Sequence, residues 1–210
     1  MKHPLLIGIS IAATLGALAL ASCQPKAPAA PTPMPASKSD HAAVPGKKDL
    51  AESRAAFLAA YPVFMHPRCM NCHPSGDAPL QGDDSHTHTQ NVKRGPDGNG
   101  LYALKCSNCH QATNLAGANM PPGNPVWHLP PESMKMIFQG RTPAELAAQL
   151  KDPAQNGGKT LDQIVHHVTD DKLVAGCWNP GDGRVPPPIP HNEFASHVRE
   201  WVEKGAAIPN

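Results

Sequence analysis

Cys69-Met70-Asn71-Cys72-His73 and Cys106-Ser107-Asn108-Cys109-His110 are two copies of one pattern, Cys-x-x-Cys-His. The spacing has a chemical reason. Two thiols three positions apart can reach the two vinyl groups of one porphyrin and form thioethers. The histidine that follows then lies beside the ring and reaches the iron as an axial ligand, which is the pattern of c-type haem attachment. The sequence therefore predicts two haem c groups. Cys69, Cys72, Cys106 and Cys109 are the expected covalent anchors, and His73 and His110 the expected proximal iron ligands.

Other uses of paired cysteines fit less well. Zinc can be held by Cys-x-x-Cys pairs, but it does not require a histidine directly after each pair. Disulfides suit an exported protein, but they leave that histidine unexplained. A chain of this composition should contain one such pentapeptide by chance about once in a hundred cases, and two far more rarely. Of the six cysteines, Cys23 and Cys177 remain. Cys177, in Ala175-Gly176-Cys177-Trp178, reads as a small buried apolar side chain.

Working outward, the rest of the chain is poor in material for a core of its own. It carries 25 Pro and 17 Gly, against four Phe, three Trp and two Tyr. A bound group would fill the middle of such a loop-rich chain. The net charge of +1 offers no basic stripe, so no nucleic-acid partner is expected. At the N-terminus, Met1-Lys2-His3 is followed by an apolar run from Leu5 to Ala21 that reads as a signal-peptide core. It ends in Leu20-Ala21-Ser22-Cys23, a bacterial lipobox, so Cys23 is expected to be lipidated. Gln24 to Gly46 is dense in Pro and Ala, lacks apolar periodicity and reads as an extended tether. The expected organisation is a lipoprotein signal peptide at 1–22, a lipidated Cys and tether at 23–46, and one dihaem domain at 47–210. The expected location is the periplasmic side of a bacterial membrane.

Each iron has a sixth position, and its occupant separates an electron carrier from a catalyst. Histidine and methionine are abundant: His66, His86, His88, Met120, His128, Met134, Met136, His166, His167, His191 and His197. Each motif is followed by a coil containing a histidine, His88 after His73 and His128 after His110, which reads as a weak internal repeat. His88 is thus the expected distal ligand of the first haem and His128 that of the second, with Met120, Met134 and His167 as rivals. Methionine ligation would raise the potential relative to two histidines.

The remaining patterns are helical, and the predicted fold is mainly α with long Pro/Gly-rich coils and little or no β structure. Lys47 to Tyr61 carries Leu50, Phe57, Leu58 and Tyr61 at helical spacing and should pack on the first haem. Thr142-Pro143-Ala144-Glu145 is a capping box with Pro at the first helical position, opening a helix that runs to Asp152. Thr160-Leu161-Asp162-Gln163 opens another. Asn192 should cap a last helix with Phe194, Val198, Trp201 and Val202 on one face, ended by Gly205. The acidic pairs Asp83-Asp84 and Asp170-Asp171 read as solvated loop residues.

His66-Pro67-Arg68-Cys69, Pro79-Leu80-Gln81-Gly82-Asp83-Asp84, Asn91-Val92-Lys93-Arg94-Gly95, Trp127-His128-Leu129-Pro130 and Asn156-Gly157-Gly158-Lys159 resemble segments of small bacterial dihaem c-type cytochrome lipoproteins. Members of that group are often labelled an isoquinoline 1-oxidoreductase subunit. The resemblance spans about Phe57 to Ala207 and excludes the tether. It implies work beside a molybdenum hydroxylase. The chain has no molybdopterin-sized domain and no iron–sulfur cysteine set, so the implied role is that of electron-accepting partner. Cys177 stands where the group has glycine, so the resemblance implies no role for that thiol. The expected function is electron transfer between a periplasmic donor dehydrogenase and the respiratory chain, through an acceptor cytochrome or oxidase. No catalytic residue is expected. The alternatives are a small haem peroxidase or reductase with one open iron, and a haem-based sensor, for which no output domain is present.

Lipidation of Cys23 has a direct test. Cys23→Ala should be inefficiently processed or mislocalised on membrane fractionation. Normal processing and wild-type fractionation would refute the lipobox reading.

Overall fold

The computed structural model describes residues 49–210. The expected signal peptide, Cys23 and the expected tether lie outside the described residues. Within them the chain is mainly helical. Six α-helices run in order: α1 Leu50–Phe64, α2 Pro67–Met70, α3 Pro143–Lys151, α4 Leu161–Asp170, α5 Lys172–Gly176 and α6 His191–Glu203. Four two-residue strands make two antiparallel hairpins, β1 Leu80–Gln81 with β2 His86–Thr87, and β3 Gly100–Leu101 with β4 Leu104–Lys105. Almost the whole stretch from His73 to Thr142 is coil and turn.

α1 packs along α6. Its buried residues are Ser53, Ala56, Phe57, Ala60, Val63 and Phe64, a stripe at steps of three and four. Leu50 and Leu58, expected on the packed face, are 44% and 47% exposed. They sit off that stripe, which packs on α6. The aromatics form a continuous row: Trp201 to Phe57 at 5.0 Å, Phe57 to Phe64 at 6.0 Å, and Phe64 to both Phe194 at 5.0 Å and Phe138 at 5.5 Å. At the C-terminal end of α6 a buried polar knot closes the core. Ser53 Oγ donates to the Trp201 carbonyl at 2.8 Å and accepts from the Ala207 amide at 2.9 Å, while Trp201 Nε1 donates to the Ala207 carbonyl at 3.0 Å. Every buried group in the knot is thereby satisfied.

Helix starts follow local chemistry. Both capping boxes form, at Thr142 with Glu145 and at Thr160 with Gln163. The last helix departs from expectation. It begins at His191 after Pro190, with no side-chain cap, so Asn192 lies inside the first turn. Proline fixes φ there, and His191 Nε2 bonds the Val168 carbonyl at 2.7 Å, which docks this helix start on α4.

The packing makes Trp201 and Ser53 the sensitive positions. Trp201→Ala should lower the free energy of unfolding by about 3–5 kcal/mol, and Ser53→Ala by about 1–3 kcal/mol through the orphaned Ala207 amide. Chemical denaturation reads both. A loss under about 1 kcal/mol for Trp201→Ala would mean that α1 and α6 do not form the main core.

Candidate functional site

The two Cys-x-x-Cys-His segments fold as tight single turns. At the first, Pro67 opens α2, and His66 Nδ1 accepts from the Arg68 amide at 3.3 Å. The Cys72 amide then bonds the Cys69 carbonyl at 3.2 Å, and the His73 amide the Met70 carbonyl at 3.0 Å. At the second, Cys106–Asn108 is a 3₁₀ turn, with the Cys109 amide on the Cys106 carbonyl at 3.2 Å and that of His110 on the same carbonyl at 2.9 Å.

The two histidines are held alike. His73 Nδ1 lies 2.7 Å from the Met136 carbonyl, and its ring stacks on Phe138 at 4.0 Å and 11°. His110 Nδ1 lies 2.7 Å from the Pro122 carbonyl, and its ring stacks on Trp127 at 3.9 Å and 8°. A carbonyl oxygen only accepts, so Nδ1 carries the proton in both rings. Burial pushes His73 down to about 4, an effect only partly offset by the Met136 carbonyl, and the charges of His167 and Arg94 push the same way. Burial also lowers His110, opposed by the Pro122 carbonyl and assisted by His88 and Arg184. Both rings are therefore neutral at pH 7, with Nε2 as a free lone pair, the form in which imidazole binds a metal.

Cys69, Cys72 and Cys106 are not poised as thiolates. Cys69 is pushed well above the usual thiol range, first by its hydrogen bond with the Cys177 thiol and then by burial. Burial foremost raises Cys72 to about 12 and raises Cys106 as well. Cys177, read as a plain apolar side chain, thus sits beside the first motif, with Sγ 3.4 Å from the Arg68 carbonyl. Among the described residues, no three His, Cys, Asp or Glu side chains converge as a metal-binding group. A bare zinc ion, which takes three or four protein ligands, finds no such set there.

Around the second motif the chain has little apolar core. Between Gly95 and Ile137 the buried apolar side chains are Cys106 and Leu129. Close backbone crossings replace side-chain packing. A Cβ on Gly98 would lie 1.9 Å from the Leu129 carbonyl oxygen, and one on Gly123 2.0 Å from that of Thr113, so these positions admit only glycine. Arg94, 0% exposed, spans the two motif regions: Nη1 donates to the Pro130 carbonyl at 2.6 Å and Nη2 to that of Gly76 at 3.3 Å, while Nε has no partner.

The candidates for a sixth position scatter. His128 is exposed, its Nδ1 on the Val126 carbonyl at 2.7 Å; its neighbour Trp127 meets the second motif instead. Met120 is 42% exposed. Met134 is half-buried and faces the turn at Gly157. His167, half-buried on α4, points Nδ1 at Asp171 at 3.2 Å, beside an open depression of about 480 Å³ lined by Gly157, Gly158, Lys159 and Gln163. His88, expected over the first motif, instead has its ring 6.5 Å from that of His110 in the second. The β1–β2 hairpin returns the chain so that the His88 amide bonds the Pro79 carbonyl at 3.0 Å. Leucine and arginine contacts fix that hairpin: the Leu80 amide bonds the Asn71 carbonyl at 3.0 Å, and Arg68 Nη2 meets Asp83 at 2.6 Å and the Gly82 carbonyl at 3.0 Å. Asp83 is exposed, as its sequence reading has it, and also pairs with Arg68. The supporting residues Phe138, Trp127 and Arg94 carried no sequence signal as site residues. No protein-family model, curated protein or solved structure matches the chain.

For the chain carrying no bound group, the His73 burial has a pH signature. Its folded value, about 4, lies below the ordinary 6.5, so unfolding takes up a proton between those limits. Stability should fall as pH drops from about 6.5 toward 4. ¹⁵N NMR should find both rings neutral and protonated on Nδ1 at pH 7. A His73 ring that titrates near 6.5 would contradict the buried geometry.

Proposed function

We propose that the protein is a lipid-tethered periplasmic c-type cytochrome with two covalent haems, passing electrons from a periplasmic dehydrogenase, of the molybdenum hydroxylase type, toward the respiratory chain. The observation that carries this reading is the identical support of His73 and His110: Nδ1 on a backbone carbonyl at 2.7 Å, one ring face on an aromatic, and Nε2 left free directly after a Cys-x-x-Cys turn.

The donor set suits this group better than a bare ion. A porphyrin brings four nitrogens of its own, so the chain need supply only axial ligands and thiols. Cys69, Cys72 and His73 would hold one haem, and Cys106, Cys109 and His110 the other. Bound haem iron supplies one-electron chemistry. The chain's part is to orient the imidazoles through the Met136 and Pro122 carbonyls, to keep them unprotonated, and to limit water at the first motif through the Phe138–Phe64 packing. The core-poor segment around the second motif is also consistent with an apolar group of porphyrin size completing it.

Two measurements test the proposal. Denaturing mass spectrometry of protein made with a haem-attachment system should show two haem additions that survive acid–acetone extraction. Cys72→Ala and Cys109→Ala should each weaken or remove one. A mass with one haem or none would sink the reading. The spectrum then separates carrier from enzyme: two six-coordinate low-spin haems mean electron transfer, and a high-spin haem that binds cyanide or peroxide means catalysis.

A further inference from the structure

We propose that His88, together with His110, would hold the iron of the second haem, so that a hairpin anchored on the first motif completes the ligand set of the second. This rests on the dihaem reading.

Three observations carry it. The first is distance. Two imidazoles bound to one metal, each at about 2 Å, place their ring centres on the order of 6 Å apart. The His88 and His110 rings stand 6.5 Å apart, with planes at 65°, so they neither stack nor bond each other. That spacing is an edge-on approach of the two rings, and it also matches the separation of two imidazoles on one metal atom. The second is an unexplained nitrogen. His88 Nδ1 is buried and has no hydrogen-bond partner. A buried nitrogen left unsatisfied costs about 1–3 kcal/mol. Iron would satisfy it.

The third is how the ring is delivered. The His88 amide bonds the Pro79 carbonyl at 3.0 Å and its carbonyl takes the Asn91 amide at 3.2 Å, so backbone contacts fix both sides of the residue. The hairpin before it is tied to the first motif through Arg68 and through Asn71, whose Nδ2 donates to the Gly82 carbonyl at 2.9 Å. The rivals lack such support. Met120 is exposed, and His128 is exposed with Nδ1 bonded to its own coil. A second haem with two imidazoles has no open position, which favours electron transfer over catalysis, and its potential is lower than with methionine.

The test uses the mature protein with both haems attached. His88→Ala should keep two haems by mass spectrometry while one of the two turns from low-spin to high-spin, by absorption and electron paramagnetic resonance. His88→Met should restore six-coordination at that haem with a raised potential. To identify the iron, the same change is made with the second attachment removed by Cys106→Ala and Cys109→Ala. There the remaining haem should be spectrally indifferent to His88→Ala. Two haems that both stay low-spin in His88→Ala would overturn the proposal and leave the dihaem reading intact. A spin change in the single-haem protein would assign His88 to the first iron and also overturn it. Absence of covalent haem from the unsubstituted protein would remove the dihaem reading itself.

Discussion

Two backbone carbonyls, those of Met136 and Pro122, govern what the rest of the molecule can do. Each takes the Nδ1 proton of a motif histidine and so decides the tautomer, the ring angle and the direction in which Nε2 points. Such a bond is worth only about 1 kcal/mol in stability. Its weight lies in geometry, because an imidazole free to turn would present either nitrogen and either edge. The aromatic ring against each imidazole completes the restraint, with Phe138 and Trp127 in equivalent places. The chain thus makes the same small device twice, on two copies of one Cys-x-x-Cys-His pattern whose supports come from different segments.

The surroundings of the two devices differ. His73 ends the aromatic row that begins at Trp201, and Cys69 packs on the same core. The first site is therefore mounted on the α1–α6 pair. His110 and Trp127 belong to coil, tied to the remainder by Arg94, by glycine crossings and by the approach of His88. A buried guanidinium with an idle Nε, unbonded to any carboxylate among the described residues, is an unusual fastening. It spends its hydrogen bonds on two carbonyls that belong to different motif regions, which suits a brace more than an ion pair.

What the sequence disclosed was local. The Cys-x-x-Cys-His turns, both threonine capping boxes and the helical α1 stripe follow from residues within a few positions of one another. The partners that orient the motif histidines lie farther away. Met136 is 63 residues beyond His73, and no periodicity connects them. Pro122 is 12 residues beyond His110, in the coil that follows that motif, and Trp127 of the same coil stacks on the ring. The approach of His88 to His110 is non-local in the same way. Chain proximity favours His73, while the chain reverses at Gly82, with a φ of 77°, and the His88 ring stands 6.5 Å from that of His110. Asn192 likewise lost the cap position to a proline whose fixed φ needs no side chain.

The glycine crossings of the second motif region carry one more consequence, for amide hydrogen exchange. The Leu129 amide bonds the Gly98 carbonyl at 2.9 Å, a bond shielded by backbone and not by apolar side chains. Segments with few buried contacts open locally at a fraction of the global unfolding free energy. The amides of residues 98–129 are thus expected to exchange ahead of those of α1 and α6, which carry the main core. A ligand bridging Gly98–Leu129 to the hairpin would narrow that difference, and slowed exchange at Leu129 would record the change residue by residue.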